Sequence, residues 1–260
     1  MKISIIIPSY NEERRIGRTL KAYSEFFEDL RKKKEADYEI LVVINNTTDK
    51  TEEIVKDFRK KNKRIIYLNF RRGGKGFAVI EGFKDALKRN SDLIGFTDAD
   101  MATPPESFYL LVQNIGGGSG AIASRYIKGS KILPKPSFRT LVMASVFNFI
   151  VRSLFLFNFR DTQCGAKLFR REAVSSIIGK MTITQWAFDI DLLYQLKRKG
   201  FAVKEIPIKW VEQEESKINM IKSPIQMFLS IIQLRVLNSP FNNLLKPLKI
   251  PIRFLWRAVK

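Results

Sequence analysis

The chain has 260 residues, 45% of them hydrophobic, which is enough for one α/β domain with a full core and a short appendage. Its single cysteine, Cys164, rules out an internal disulfide and points to a reducing compartment. The formal charge is +20, from 46 basic and 26 acidic residues, a field that attracts nucleic acid, acidic lipid or phosphorylated substrates.

The chain opens KISIIIPSYNEE, an apolar run too short and too soon interrupted by charge for a signal peptide. We read it as a cytosolic N-terminus in which residues Ile3–Ile7 form a buried strand. A helix over Glu12–Leu30 follows the SYN turn, and Glu39–Val43 forms a second strand. The polar stretch NNTTDKT then offers Thr48 or Asp49 as cap for a helix running to about Lys60. Ile65–Phe70 is a third strand. Gly73, Gly74 and Gly76 make a turn into a helix ending near Arg89, and Leu93–Thr97 is a fourth strand that ends in DAD. Strands alternating with helices of this length predict an α/β fold, Rossmann-like, with a mostly parallel sheet and helices on both faces. Ligands of such sheets bind beyond the carboxyl ends of the strands, where Asn45, Lys75 and Asp98–Asp100 fall. Further on, the pattern predicts a strand at Ala166–Phe169, a helix near Phe188–Lys199 and a strand at Lys204–Lys209. We detect no repeats or low-complexity segments.

Asp98 and Asp100 flank Ala99 at a strand's end. Two carboxylates this close repel each other unless a cation sits between or near them. A hard divalent ion with few protein ligands, completed by water and substrate phosphate, is the usual solution. Alone, a DxD triplet is a weak signal; its place after three βα units strengthens it.

The motifs IIIPSYNEE, GGKGFAV, FTDADMAT, SRY at Ser124–Tyr126, FRTLVM, DTQCGAKLF, WAFDIDLLY and ESKI together resemble the inverting family 2 glycosyltransferases of GT-A fold. Within them the chain is most similar to dolichyl-phosphate glucosyltransferases and their sister dolichyl-phosphate mannose synthases, over roughly Lys2 to Arg235. The resemblance implies that Pro8, Tyr10 and Glu12 line the nucleoside pocket of a nucleotide sugar, with Asn45 where many relatives read the base with an aspartate. It implies that Asp98 and Ala99 face the ribose or metal. Asp100 holds Mg2+ or Mn2+ against the diphosphate, with Asp98 as second metal carboxylate. Ala102 stands where mannose synthases carry a further glutamine ligand, as in the glucosyl relatives. Lys75, Arg125 and Lys217 are expected to neutralise phosphate charge and Arg139 to bind the phosphate of a polyprenyl (dolichyl) acceptor, while Asp189 and Asp191 offer a carboxylate either as a general base, if one is needed, or as a sugar ligand. Cys164 reads as a small buried hydrophobe.

The chain contains no histidine. A sugar hydroxyl acceptor needs a general base, whereas a phosphate monoester, with a second pKa of about 6, arrives as an anion. The composition suits a phosphate acceptor and leaves a hydroxyl open.

No acid occurs between Glu106 and Asp161 or after Glu215, and both stretches are rich in Phe, Leu and Ile. That pairing of cations with bulky apolar groups suits a membrane surface better than nucleic acid, for which no motif is present. Thr140–Phe159 is long enough to span a bilayer. Its Arg152, past the midpoint, would cost roughly 2.5–3.5 kcal/mol there, and a single crossing would separate DTQCG from DAD. An interfacial segment over 138–159, with Arg139, Arg152 and Arg160 at the headgroups, avoids both; packing against the domain or a partner copy is the alternative. Residues 1–222 are thus expected to form the catalytic domain. Residues 223–260 form a basic amphipathic tail, including Arg253, Trp256, Arg257 and Lys260, that holds the protein peripherally on the cytoplasmic face without a transmembrane span. The oligomeric state is left open.

Overall fold

The computed structural model describes residues 1–181, 187–213 and 222–239. In chain order these form β1 (Lys2–Ser9), α1 (Ile16–Lys32), β2 (Asp37–Asn45), α2 (Thr51–Lys61), β3 (Ile65–Phe70), α3 (Lys75–Lys88), β4 (Leu93–Phe96), α4 (Pro105–Asn114), β5 (Gly120–Ser124), β6 (Lys131–Leu133), α5 (Phe138–Phe155), β7 (Lys167–Arg170), α6 (Arg171–Ile177), α7 (Phe188–Arg198), β8 (Val203–Pro207), β9 (Lys209–Val211) and α8 (Lys222–Leu237).

Successive side chains of a strand point to opposite faces, and β1 is apolar on both. Ile3, Ile5 and Ile7 pack with Leu20, Tyr23 and Phe27 of α1 and Phe108 and Leu111 of α4. Ile6 packs instead with Ala78, Val79 and Phe83 of α3 and Leu192 and Leu193 of α7. β2 repeats the division, with Ile40, Val42 and Ile44 on the first face and Leu41 and Val43 on the second. Each such buried aliphatic side chain contributes roughly 1.5–3 kcal/mol. The sheet they specify runs β3-β2-β1-β4-β7-β5-β8, parallel except for β7, which is antiparallel to both β4 and β5. A second, two-stranded sheet joins β6 to β9. The mostly parallel sheet with helices on both faces is the expected α/β architecture.

The order reverses between β1 and β4, and crevices beyond the carboxyl ends of strands at such switch points are where ligands bind. There, α1 starts later than its pattern suggests, at Ile16. The preceding residues are tied elsewhere: the Glu12 N–H donates to Thr51 Oγ1 at 2.7 Å, and Asn11 accepts from the Thr48 N–H at 2.8 Å with φ of 52°. Asp49 accepts from the Thr51 N–H at 3.0 Å, which serves the opening of α2 as a cap would. α4 and β5 left no clear pattern in the sequence. PESFYLLVQN is too short an apolar run to separate helix from strand, and GAIAS is built mainly of small residues.

α8 falls in the stretch expected to form the basic amphipathic tail; Ile231 and Leu234 of it are buried in the second core layer. The tail from residue 240 on, Arg253, Trp256, Arg257 and Lys260 included, lies outside the described residues.

α1 anchors the loop after β4. Thr19 Oγ1 donates to the Ala99 carbonyl at 2.6 Å, Arg18 donates to the Asp100 carbonyl at 3.1 Å, and the buried Tyr23 hydroxyl donates to the Thr103 carbonyl at 2.8 Å. Tyr23→Phe strips the buried Thr103 carbonyl of its donor and should cost about 1–3 kcal/mol. The expected readout is a lower urea midpoint at unchanged m-value; a midpoint equal to the parent's would show that the hydroxyl does not anchor this loop.

Candidate active site

The ends of β1, β2 and β4 and the start of α3 converge. Register pairs Pro8 with Val43 and Ser9 with Ile44, so Pro8 and Asn45 fall at the ends of adjacent strands. Tyr10, just beyond, is 47% exposed. Glu12 accepts two bonds from the Arg15 guanidinium, each 2.7 Å. Asn45 is buried, and its amide, oriented to suit its neighbours, donates to the Ser9 carbonyl at 2.9 Å and accepts from the Gly74 N–H at 3.1 Å. Asn45 thus ties the end of β1 to the entry of α3. Gly74 at that entry has φ of 120°, a conformation that only glycine adopts readily.

That entry delivers Lys75 to the carboxylates. Lys75 Nζ lies 2.5 Å from Asp98 Oδ1. Burial alone would lower the Lys75 pKa, but the charges of Asp98, Asp189 and Asp100 outweigh it and keep the ammonium firmly protonated. Asp100 points its Oδ1 at the Ala102 N–H, 2.9 Å away, across Met101 with φ of 66°. Burial and the Asp98 charge raise the Asp100 pKa against the opposing pull of that N–H, Arg15 and Lys75. On the other side, Gly165 of DTQCG presses against Asp98: a Cβ at 165 would lie 1.8 Å from Asp98 Oδ2. Only glycine leaves that oxygen its place.

Two hard oxygen ligands, one held at a raised pKa by its neighbour's charge, fit a divalent ion bound through few protein groups. No cluster of three or more His, Cys, Asp or Glu side chains suited to a metal occurs among the described residues. The donor set therefore fits a site completed by substrate and water.

A buried ion pair supports this centre from behind. Lys167 Nζ, fully buried, donates to Asp189 Oδ1 at 2.6 Å and to the Cys164 carbonyl at 2.7 Å. Asp191, one turn into α7, accepts from Gln195 at 2.9 Å. Arg125 meets Asp161 in a two-pronged pair at 2.7 and 2.9 Å, with the Arg125 N–H adding a third bond at 3.0 Å. Burial would raise the Asp161 pKa, yet Arg125 holds it below the usual carboxylate range. Arg125 also lies over the rings of Tyr126 and Trp210, at 5.1 and 5.4 Å. Its guanidinium is committed to this internal pair. Cys164 is buried, and burial pushes its thiol up to about 11, which suits the packing role expected of it. Arg139 is exposed on the first turn of α5. Lys217, Trp186 and the ESKI motif lie outside the described residues.

The structure therefore groups Pro8, Asn45, Lys75, Asp98, Ala99, Asp100 and Asp189 at one end of the sheet. Sequence reasoning missed Lys167, Gly165 and the α1 residues Arg18, Thr19 and Tyr23. Lys167 left one signal, a charge inside the apolar strand AKLF. The others left none, because their contacts join segments far apart in the chain.

The raised Asp100 pKa has a consequence for stability. The folded protein holds this proton more tightly than the unfolded chain, so the ion-free protein loses stability as pH rises from the ordinary carboxylate range through the raised value. Asp100→Asn lacks that loss. At neutral pH in chelator it should melt above the parent, and Mn2+ should raise the melting temperature of the parent alone. Equal melting of both proteins with and without the ion would rule out this charge balance.

A family model described as glycosyl transferase family 2 matches residues 4–178. The chain is 32% identical over 248 residues to a human dolichyl-phosphate beta-glucosyltransferase, covering 90% of this chain and 75% of that one. It is 30% identical over 244 residues to the Dictyostelium discoideum protein of the same description, covering 90% and 73%. Its fold is similar to that of glucosyl-3-phosphoglycerate synthase from Mycobacterium tuberculosis, solved with Mn2+, uridine diphosphate and phosphoglyceric acid. There the TM-score is 0.67 at 17% identity, covering 90% of this chain and 78% of that one. With these matches spanning the strand-end carboxylates and the loops that hold them, the chain belongs to glycosyl transferase family 2 and is a glycosyltransferase of GT-A fold.

Proposed function

We propose that the protein transfers glucose, with inversion, from UDP-glucose to a polyprenyl (dolichyl) phosphate at the cytoplasmic face of a membrane, on which it sits peripherally. The observation that carries this reading is the exposed apolar surface of α5 on the same domain as the Asp98–Asp100 centre. Phe138, Val142, Val146 and Phe149 are 81%, 44%, 53% and 61% exposed. Among the described residues α5 is the one helix long and apolar enough to cross a bilayer by length and composition. An aqueous acceptor gives no reason for such a surface, whereas a lipid acceptor does. The similarity to proteins described as dolichyl-phosphate beta-glucosyltransferases supports the same acceptor and sugar.

The roles in this reading rest on the family resemblance and on where the described residues lie. Pro8, Tyr10, Glu12 and Asn45 shape the nucleoside end of the crevice, Asn45 by bracing it. Asp98 and Asp100 would hold Mg2+ or Mn2+, which supplies charge neutralisation for the departing diphosphate. Lys75 adds a fixed positive charge beside them, and Lys217 is assigned to the same task. Arg139 takes the acceptor phosphate. A phosphate oxygen of the acceptor forms the new bond to the anomeric carbon as the bond to the diphosphate breaks, and the nucleoside diphosphate leaves as the anion. No proton has to be removed from the acceptor. Asp189, fixed in place by Lys167, orients the sugar. Arg125 acts through Asp161 to set the loop before β7.

In vesicles containing polyprenyl phosphate and UDP-glucose, the expected product is a glucosyl lipid whose sugar is released by mild acid. Chelation should abolish its formation, and Asp100→Asn should lower the rate roughly 100-fold or more. An acid-stable glycoside, or full turnover of Asp100→Asn in chelator, would overturn the reading.

Arg139→Ala should raise the KM for polyprenyl phosphate by roughly tenfold, the loss of one charge-assisted contact, and leave that for the nucleotide sugar unchanged. Equal weakening of both would place Arg139 outside the acceptor site.

A further inference from the structure

α5 carries its apolar residues outward, yet it also roofs a polar cavity. The cavity, about 240 Å³, is lined by Ser145, Asn148 and Arg152 of α5, by Tyr126 beyond β5 and by Arg160 ahead of β7. Its lining holds two guanidinium groups and no carboxylate. Arg152 Nε is buried without a hydrogen-bond partner, a costly state for a charged donor unless something that is not part of the chain accepts from it. Asn148 is already satisfied, donating to the Ala144 carbonyl at 3.0 Å and accepting from the Thr162 N–H at 3.4 Å. The demand for an acceptor therefore comes from Arg152, with the Arg160 guanidinium lining the same cavity. Arg152 stands thirteen residues past Arg139 on the same helix, about 20 Å along its axis, so one phosphate cannot satisfy both.

We propose that this cavity is a binding site for a lipid-borne phosphate. Arg152 and Arg160 grip its oxygens, and the outer face of α5 lies among the acyl or prenyl chains. Guanidinium forks suit phosphate oxygens, and a cavity of this size admits one headgroup phosphate. The phosphate could belong to the bilayer's own anionic lipid, which would orient the enzyme, or to the prenyl phosphate; the second source rests on the function proposed above.

The test uses the full chain, with Arg152→Gln, Arg160→Gln and Ser145→Glu. The last places a carboxylate at an exposed position of the rim and leaves the packing intact. Lys61→Gln on α2 controls for diffuse attraction by a chain of net charge +20. Each protein is sedimented with vesicles of phosphatidylcholine alone, with added phosphatidylglycerol, and with added dolichyl phosphate. All three cavity variants should lose roughly tenfold in affinity for one of the charged vesicle types, and Lys61→Gln should match the parent. Loss confined to phosphatidylglycerol assigns the site to the bilayer headgroup. Loss confined to dolichyl phosphate assigns it to the prenyl phosphate. Unchanged retention of the three variants, or an equal loss by Lys61→Gln, would overturn the proposal. A parent that yields no glucosyl lipid but shows this retention pattern would refute the proposed function and leave the phosphate site standing.

Discussion

Two carboxylates one residue apart at the end of β4 impose the constraint around which the rest of the site is arranged. Their mutual repulsion is strong wherever solvent is thin, and the fold answers it from several directions. Lys75 reaches Asp98 from the start of α3. The Ala102 N–H takes one oxygen of Asp100. Arg18, Thr19 and Tyr23 of α1 hold the backbone carbonyls of the same loop, so the carboxylates cannot swing apart to relieve the strain. A glycosyltransferase gains from this arrangement because negative charge held in place at a raised pKa is poised to accept a cation together with its diphosphate.

The buried Lys167 extends the same logic to the back of the site. Register sets Lys167 opposite Phe96, the last residue of β4, so the ammonium lies immediately beneath the Asp98 loop. Lys167 and Lys75 lie over the Phe96 ring at 5.5 and 5.9 Å, and the Lys167 charge is answered by Asp189 on α7. A lysine with no exposed surface is tolerable only when so paired. Its pairing joins the antiparallel strand β7 to α7. The insertion of β7 between β4 and β5 is therefore what links the DTQCG and FDID segments to the DAD loop.

Apolar surface and positive charge coincide on α5. Val151 and Phe155 enter the core while most of the helix remains outside it. Such a helix is stable only if something covers its outer face, and a bilayer surface supplies both apolar cover and phosphate for the arginines. The Arg125–Asp161 pair ties the end of β5 to the loop ahead of β7. Asp161 also receives support through its own N–H, which donates to Glu205 at 2.8 Å.

Much of this was legible in the chain as written. The continuous apolar runs of β1 and β2 and the glycines ahead of α3 determine local structure through nearest-neighbour physics, and that was enough to place Asn45, Lys75, Asp98 and Asp100 at strand ends. Tertiary structure decided the rest. That Asn45 braces Gly74, that Arg125 pairs with Asp161, and that Ile231 and Leu234 of α8 enter the core all depend on partners distant in sequence. Local pattern carries no information about such pairs. The clearest case is Gly165, an unremarked residue in the chain whose missing side chain, once β7 lies against β4, leaves Asp98 the space to take its position.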